Sequence, residues 1–484
     1  MTELPSAAPT ASARKLAYTA LKAIHQGAYA DVALHRALSR SPLGQSDRHL
    51  TTELVYGSVR RQRTLDALLD QLGTKPAAQQ PIELRVIVHL GLYQLRYLNQ
   101  IPDSAAVHTA VELTKSLNLG KLAGVVNGML RQYLRQQNGP NLRQQNSPNL
   151  RQQDSPADPL QVPADPVAAL GIRHSYPDWM VATWIEALGI EETAALCEWL
   201  NHPPAIDLRV HQGRTTVEAV TAAFAHADIA IESLPHLPQG LRLVGHGGNI
   251  RHLPGYDEGW WTVQDASAQL VSYLVDPQPG HTVIDACAAP GGKAAHMADL
   301  MGDTGVIWAC DRTPSRLKKV TQTIHRLGLT SLRTHVGDST TMTRFKGQGD
   351  RVLVDAPCSG LGTLHRHGDA RWRQTPATVQ ELAALQAKLL DQAATWVKPD
   401  GTLVYATCTL HPAENEDQIQ RFLETHPSWA IVPPATDSPV APYVLPEGWI
   451  KVWPHRHHQD GFFMVRLAQR LGGGRMNEGN QQDS

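Results

Sequence analysis

Apolar residues along the first 135 positions recur at helical spacing. Ala17, Ala20, Leu21 and Ile24 fall at i, i+3, i+4 and i+7, one face of an amphipathic helix. The same period predicts helices over 31–39, 46–73, 81–98, 104–117 and about 120–135, punctuated by Gly73, Pro81, Pro102 and Gly120. Connections this short predict an all-α bundle over 13–135. The pattern then stops. Residues 135–158 read RQQNGPNL, RQQNSPNL, RQQDSPAD, a period of eight with one proline per unit and few apolar positions. Such a segment cannot build a core, so 136–165 is expected to be a flexible linker.

Helical spacing resumes in PDWMVATWIEALG and EETAALCEWL, with Cys197 on an apolar face where burial is expected. A strand at 205–210 (AIDLRV), a helix in TVEAVTAAFAHA and short strands around LRLV then predict a small α+β extension, 166–262 in all. From 263 to 470 the two periods alternate. Strands are expected at 282–287, 305–310, 332–337, 350–356 and 401–407, helices at 293–301, 314–327, 377–397 and 413–425, and a last strand at 461–467. Alternation of this kind predicts a parallel, doubly wound, Rossmann-like α/β sheet. Residues 471–484 read as a disordered tail.

Length fits this multidomain division, since 484 residues exceed one typical domain. Net charge is only -1, but it is unevenly spread: Met1–Arg135 carries 16 Lys and Arg against 9 Asp and Glu, the remainder 28 against 36. A basic helical module on a more acidic body suits a nucleic-acid partner. Within it, Arg60, Arg61 and Arg63 read as a solvated helix face by default, with a phosphate-contacting patch as the alternative. The five cysteines show no CxxC or zinc-like spacing, and no metal site is expected. An odd cysteine count and an N-terminus without an apolar core segment point to reduced thiols in the cytoplasm. No run of 18 apolar residues exists, so no membrane helix is expected.

The candidate chemistry centres on HTVIDACAAPGGK, 281–293. It reads as a buried strand, a tight turn through Pro290, Gly291 and Gly292, and a helix opening at Lys293, which presents backbone N–H groups to a ligand. Neither GxGxxG nor a P-loop is present. Asp311 ends the next strand, 20 residues after Gly291, where a carboxylate can accept the ribose hydroxyls of a nicotinamide cofactor or of the methyl donor S-adenosylmethionine alike. Asp338 follows strand three and can meet an adenine edge, or serve as a turn residue. Asp355 and Cys358 (VLVDAPC) and Cys408 (LVYATCT) leave two further strands at the same end of the sheet. Two thiols beside a methyl donor suggest covalent activation of an inert carbon such as cytosine C5, by thiolate addition at C6. Asp355 can hydrogen-bond N3 and the exocyclic amine. Lys293 either caps the cofactor loop or acts near substrate or a carboxylate. His455, His457 and His458 read as a surface loop. Trp260 and Trp261 suit inter-domain packing, or stacking on a base.

Taken together, DACAAPGGK, DAPCSG and YATCT resemble the RNA 5-methylcytosine methyltransferases of the Nop/Sun family, and RKLAYTALKAI, ELVYGSVR and VVNGMLR resemble the NusB-like RNA-binding domain. The resemblance covers nearly the whole chain outside the repeat and both tails. It implies a class I methyltransferase fold and S-adenosylmethionine as cofactor, held by Cys287, Ala288, Ala289, Pro290, Gly291, Gly292, Lys293, Asp311, Asp338 and Asp355. It implies Cys408 as nucleophile and Cys358 as the residue that assists product release. The family's HPD-like segment reads Arg366-His367-Gly368-Asp369 here, with Gly where Pro is usual. Residues 171–250 correspond to a small RNA-binding extension. The implied substrate is small-subunit (16S) ribosomal RNA or an assembly intermediate, acted on by a monomer with no membrane partner. Methylation of tRNA or another RNA is an alternative. A DNA cytosine methyltransferase would use Cys358 as nucleophile, and the basic helical module and second cysteine argue against it. A non-catalytic RNA-binding assembly factor is disfavoured by the intact glycine turn and both cysteines.

Overall fold

The computed structural model describes residues 12–39, 41–138, 158–245 and 248–470. Two compact units form among the described residues: those up to His202 with Leu364–Arg373, and Pro203–Thr363 with those from Gln374 onward. The repeat from 139 to 157 and the tail from 471 lie outside the described residues, while Arg135-Gln136-Gln137 of the first repeat form the last turn of a helix.

The first unit opens with α1 (Ala13–His25), α2 (Ala30–Ser39), α3 (Gln45–Arg60), α4 (Gln62–Leu72), α5 (Ile82–Tyr97), α6 (Asp103–Ser116) and α7 (Ala123–Gln137). It continues with α8 (Pro166–His174), α9 (Asp178–Leu188) and α10 (Ile190–Trp199). Helix α5 is buried on nearly every side from Leu84 to Leu95, so the others pack around it. Gly91 lets α7 approach: a Cβ there would stand 2.6 Å from Leu130 Cδ1.

The stretch 46–73, which periodicity reads as one helix, is two. Arg61 leaves helical geometry (φ -101°, ψ 14°) between α3 and α4. The arginine cluster is therefore not a plain solvated face: its side chains are engaged within the first unit. Arg60 is buried and donates to Asn201 O (3.4 Å). The Arg61 guanidinium lies 4.8 Å from the Tyr97 ring centroid. Arg63 donates to Tyr176 O (2.5 Å) and pairs with Asp178 (2.7 Å). The cause is tertiary: 175–201 folds back and supplies carbonyl acceptors that the local sequence does not show.

The second unit begins with β1 (Asp207–Val210), α11 (Val217–His226), β2 (Ile231–Ser233), β3 (Gly240–Leu243) and β4 (Trp261–Val263). Their antiparallel sheet has the order β2-β3-β1-β4. Trp261 is buried in the core of this sheet, against Phe224 and Tyr256, and Trp260 packs beside it. Trp261 thus serves the small sheet, and its carbonyl accepts from Arg326 Nη1 of the larger domain (3.0 Å), which is the inter-domain packing the sequence suggests.

After α12 (Ala266–Val275) come β5 (Thr282–Asp285), α13 (Gly292–Leu300), β6 (Val306–Asp311), α14 (Pro314–Leu327), β7 (Leu332–Val336) and β8 (Gly349–Asp355). Then follow α15 (Ala370–Arg373), α16 (Pro376–Ala394), β9 (Val397–Thr407), α17 (Glu416–Thr425), β10 (Trp429–Ile431), β11 (Ile450–Val452), α18 (Pro454–His457) and β12 (Phe462–Gln469). The large sheet runs β10-β12-β9-β8-β5-β6-β7, with β11 on β12. Strands β5 to β9 pair in parallel and β12 joins β9 antiparallel. Strand order reverses between β5 and β8, and the crevice outside their carboxyl ends is where such sheets bind ligands.

The small sheet is tied to the C-terminal end of α13. Asp299, in the last turn of α13, would suffer from the negative end of the helix dipole. It is instead surrounded by donors: His211 Nδ1 (2.5 Å), Gln239 Nε2 (2.5 Å), Gly213 N (3.1 Å) and Gln212 N (3.2 Å). His455, His457 and His458 sit on or beside α18, where His457 Nδ1 accepts from Trp453 N (2.9 Å). No metal-binding cluster exists among the described residues.

Leu364–Arg373, which includes α15 and the RHGD segment, groups with the helical unit although its sequence neighbours belong to the large sheet. Arg371 is fully buried there. It donates to Asn201 Oδ1 (2.9 Å), Arg60 O (3.1 Å) and Ser175 O (3.1 Å), and lies 4.2 Å from the Tyr176 ring centroid. Asp369 accepts from Ala30 N (3.1 Å) and Arg373 Nε (3.2 Å).

Burial pushes the imidazoles of His25 and His174, both in the first unit, down to about 4. The unfolded chain takes up protons on these rings as pH falls through about 6.5, the folded chain only near 4. Their contribution to stability is complete above the unfolded value and is lost as pH falls toward 4. Urea denaturation at pH 7 and at about pH 5 should give a lower midpoint at the lower pH. His25→Gln should remove part of that dependence; an undiminished slope in the variant would contradict the assignment.

Candidate active site

Strand β5 ends at Asp285, and the chain turns through Cys287, Ala288, Ala289 and Pro290 into α13. Ala288 N donates to Cys310 O (2.8 Å) and Gly291 N to Ala288 O (2.7 Å), which pins the turn to β6 and closes it. Gly291 adopts φ +105°, a conformation L side chains rarely take, and a Cβ there would press on Val320 at 3.2 Å. Gly292 opens α13, so its N-terminus faces the crevice.

Strand β8 ends at Asp355 and β9 at Thr407, with Asp355 in register with Ala406. Parallel neighbours that end together release their loops side by side. Cys358 Sγ and Cys408 Sγ come within 3.4 Å. Gly362 N donates to Cys408 O (3.0 Å), so the two loops are also joined through backbone. The thiols are free.

Lys293 Nζ donates to Asp355 Oδ2 (2.6 Å) and lies 5.1 Å from the Phe462 ring centroid. Of the two readings of Lys293, the structure shows the reach to a carboxylate. Burial alone would depress its pKa, but Asp355 outweighs this and holds the ammonium above its usual range, with Cys408 also in electrostatic reach.

Asp285 was not singled out from sequence. It is 1 % exposed; Oδ1 accepts from Cys287 N (3.3 Å), and Oδ2 has no hydrogen-bond partner. Burial, then the charge of Asp355, pushes its carboxyl up to about 8. Only its position at the very end of a buried apolar run could have flagged it.

Asp311 ends β6, buried, accepting from Thr313 N (2.7 Å) and pairing with Arg316 (3.0 Å), whose side chain is half-exposed and also donates to Ala289 O (2.9 Å). Asp338 is exposed and accepts from Thr340 Oγ1 (2.7 Å) and Thr340 N (2.9 Å). Its contacts are those of a turn residue. Cys310 is buried in an apolar cluster, and Cys197 is fully buried beside Tyr176, whose hydroxyl donates to its carbonyl (3.3 Å). The structure thus gathers Cys358, Cys408, Lys293, Asp355 and Asp285, sets Asp311 at the adjoining strand end, and leaves Asp338 engaged with its own turn.

A glycine turn at the switch point, carboxylates at successive strand ends and a thiol pair define a Rossmann-like methyltransferase. The chain matches the family model "16S rRNA methyltransferase RsmB/F" over residues 272–468, the NusB family over 11–135, and the ferredoxin-like domain of RsmF/B-like methyltransferases over 176–248. It is 48% identical to the "Probable ribosomal RNA small subunit methyltransferase B" of Synechocystis, covering 95% of this chain and 99% of that one. Its Bacillus subtilis counterpart of the same description is 33% identical over 95% of this chain and 99% of that one. Among solved structures, PH0851 superposes with a TM-score of 0.75 at 24% identity, covering 94% of this chain and 98% of that one. The chain belongs to the RsmB/F family of small-subunit ribosomal RNA methyltransferases.

The raised Asp285 pKa has a measurable consequence. The folded state holds this proton between about 4 and about 8, so the contribution of Asp285 to stability falls as pH rises through that window. Asp285→Asn, which keeps the shape of the protonated acid, should fold and should gain on wild type as pH rises from about 5 to about 8. Thermal denaturation across that range checks this; a gap that does not widen would contradict a protonated Asp285.

Proposed function

We propose that this chain methylates carbon C5 of a cytosine in 16S ribosomal RNA, through a transient bond between Cys408 and C6 of the base. The observation that carries this reading is the thiol pair at 3.4 Å, beside the Lys293–Asp355 ion pair and at the mouth of the glycine turn.

The residues at the turn fit S-adenosylmethionine. Asp285 Oδ2 is buried without a partner, the α13 N-terminus is presented to the crevice, and Asp311 offers a carboxylate at the next strand end. Residues 287–293 and Asp311 would hold the cofactor, with Asp338 and Asp355 beside it. When bound, S-adenosylmethionine supplies an electrophilic methyl group on a sulfonium.

Cys408 adds to C6 as thiolate, and its electron pair displaces the C5–C6 π bond toward C5, which becomes nucleophilic. Asp355, held in place by Lys293, accepts from the exocyclic amine and orients the base, while the Lys293 ammonium offsets the negative charge that develops on the ring. C5 takes the methyl group. The C5 proton is then lost, the C5–C6 double bond re-forms and the C6–S bond breaks. Cys358 lies beside the departing Cys408 sulfur and serves that release. Residues 13–135 serve as the RNA-binding module, in keeping with their excess of basic residues.

The two thiols have opposite signatures when deleted. Cys408→Ala should lower kcat by at least about 10⁴-fold and leave no denaturant-stable protein–RNA adduct. Cys358→Ala should accumulate that adduct when RNA and S-adenosylmethionine are both present. Denaturing gels with labelled RNA report both. An adduct trapped by Cys408→Ala and abolished by Cys358→Ala would reverse the roles, as in the DNA-type reading. Unchanged activity in both variants would sink covalent catalysis and leave the assembly-factor reading.

A further inference from the structure

The contact between Cys358 and Cys408 needs something to hold the starts of two separate loops in register. Behind them lies a carboxylate that no part of the mechanism uses. Glu414 sits in a short helical turn, Pro412–Glu414, between β9 and α17, and is fully buried. Its Oε1 accepts from Ser359 N (2.9 Å) and Gln386 Nε2 (2.9 Å), and its Oε2 accepts from the Ser359 hydroxyl. No cation stands among these donors. Ser359 Oγ also meets Thr409 Oγ1 (2.7 Å), and Gln386 Nε2 also donates to Pro357 O (3.0 Å). Pro357 and Ser359 flank Cys358; Thr409 follows Cys408. Tyr405 donates to Glu414 O (2.6 Å) and Asn415 Nδ2 to Thr409 O (3.0 Å), which fixes the turn against β9.

A buried carboxylate without a cation is costly to keep unless several donors satisfy it. Here all the donors come from, or brace, the loop that carries Cys358. We propose that Glu414 is a positioning residue: through Ser359 and Gln386 it ties the Cys358 loop to the Cys408 loop, and it sets a buried negative charge behind Cys358. The catalytic consequence rests on the covalent reading above. An S–H on Cys358 can donate to the Cys408 sulfur and protonate it as it leaves C6, whereas a second thiolate would repel it. The Cys358 thiol is in fact held well above its ordinary range, by the contact with Cys408 first, then burial, with Glu414 among the neighbouring charges.

The test reads the two thiols directly. The full chain is alkylated with iodoacetamide across a pH series, and Cys358 and Cys408 are followed as separate peptides by mass spectrometry, without RNA. Glu414→Gln keeps the shape, since the Ser359 hydroxyl can turn to accept, but removes the charge. It should move the Cys358 midpoint down by about one pH unit and lower kcat while the KM for S-adenosylmethionine holds. Ser359→Ala keeps the charge and removes a donor, so it should move the Cys358 midpoint up. A loosened structure would instead expose both thiols and lower both midpoints in both variants. If Glu414→Gln does not fold, the upward shift in Ser359→Ala decides. An unmoved or upward Cys358 midpoint in Glu414→Gln, or an unmoved or downward one in Ser359→Ala, overturns the proposal. These profiles need no adduct: if wild type forms none while the midpoints shift as stated, covalent catalysis fails and the tie between the loops stands.

Discussion

The site depends on the parallel pairing of β8 with β9. Because Asp355 and Ala406 share a register position, the loops that follow leave the sheet at the same height. Residues 50 apart in sequence are thereby placed 3.4 Å apart. Everything else at the crevice adjusts to that constraint. The β5 turn supplies Lys293 from one side, and the buried turn at Glu414 braces the loops from behind. A one-residue slip would turn alternate side chains to the opposite face and separate the groups.

The electrostatics follow from crowding carboxylates at strand ends. Asp285, Asp311 and Asp355 lie on three adjacent strands, and three charges there could not all be held at low cost. The molecule divides them. Asp355 takes Lys293, Asp311 takes Arg316, and Asp285, with no cation, is pushed toward its neutral form. Glu414 is a second solution to the same problem, satisfied by amide and hydroxyl donors.

Much of this was legible in the chain. The glycine turn, the strand-end acids and the two cysteines stand out because apolar runs end abruptly in polar residues, and doubly wound order makes neighbours of β8 and β9. What was not legible came from distant partners. Arg60 and Arg63 look like surface residues, yet carbonyls from 175–201 draw them inward. The break at Arg61 leaves the helical period unchanged on both sides, so periodicity cannot find it. Leu364–Arg373 sits among catalytic motifs in sequence but packs in the helical unit, through a buried Arg371. Glu414, in HPAENEDQI, resembles any acidic helix start; only the donors from Ser359 and Gln386 reveal its setting.

The central claim is that this thiol pair directs a methyl group to carbon, not to a ring nitrogen or exocyclic amine. The most direct measurement is to incubate full-length protein with unmethylated 16S ribosomal RNA or small-subunit particles and S-adenosylmethionine carrying a labelled methyl group. The RNA is then digested to nucleosides, which are separated by mass spectrometry. The account predicts label in 5-methylcytidine alone, with loss of one C5 proton per methyl transferred. Label in N4-methylcytidine, or in a base other than cytosine, would contradict it.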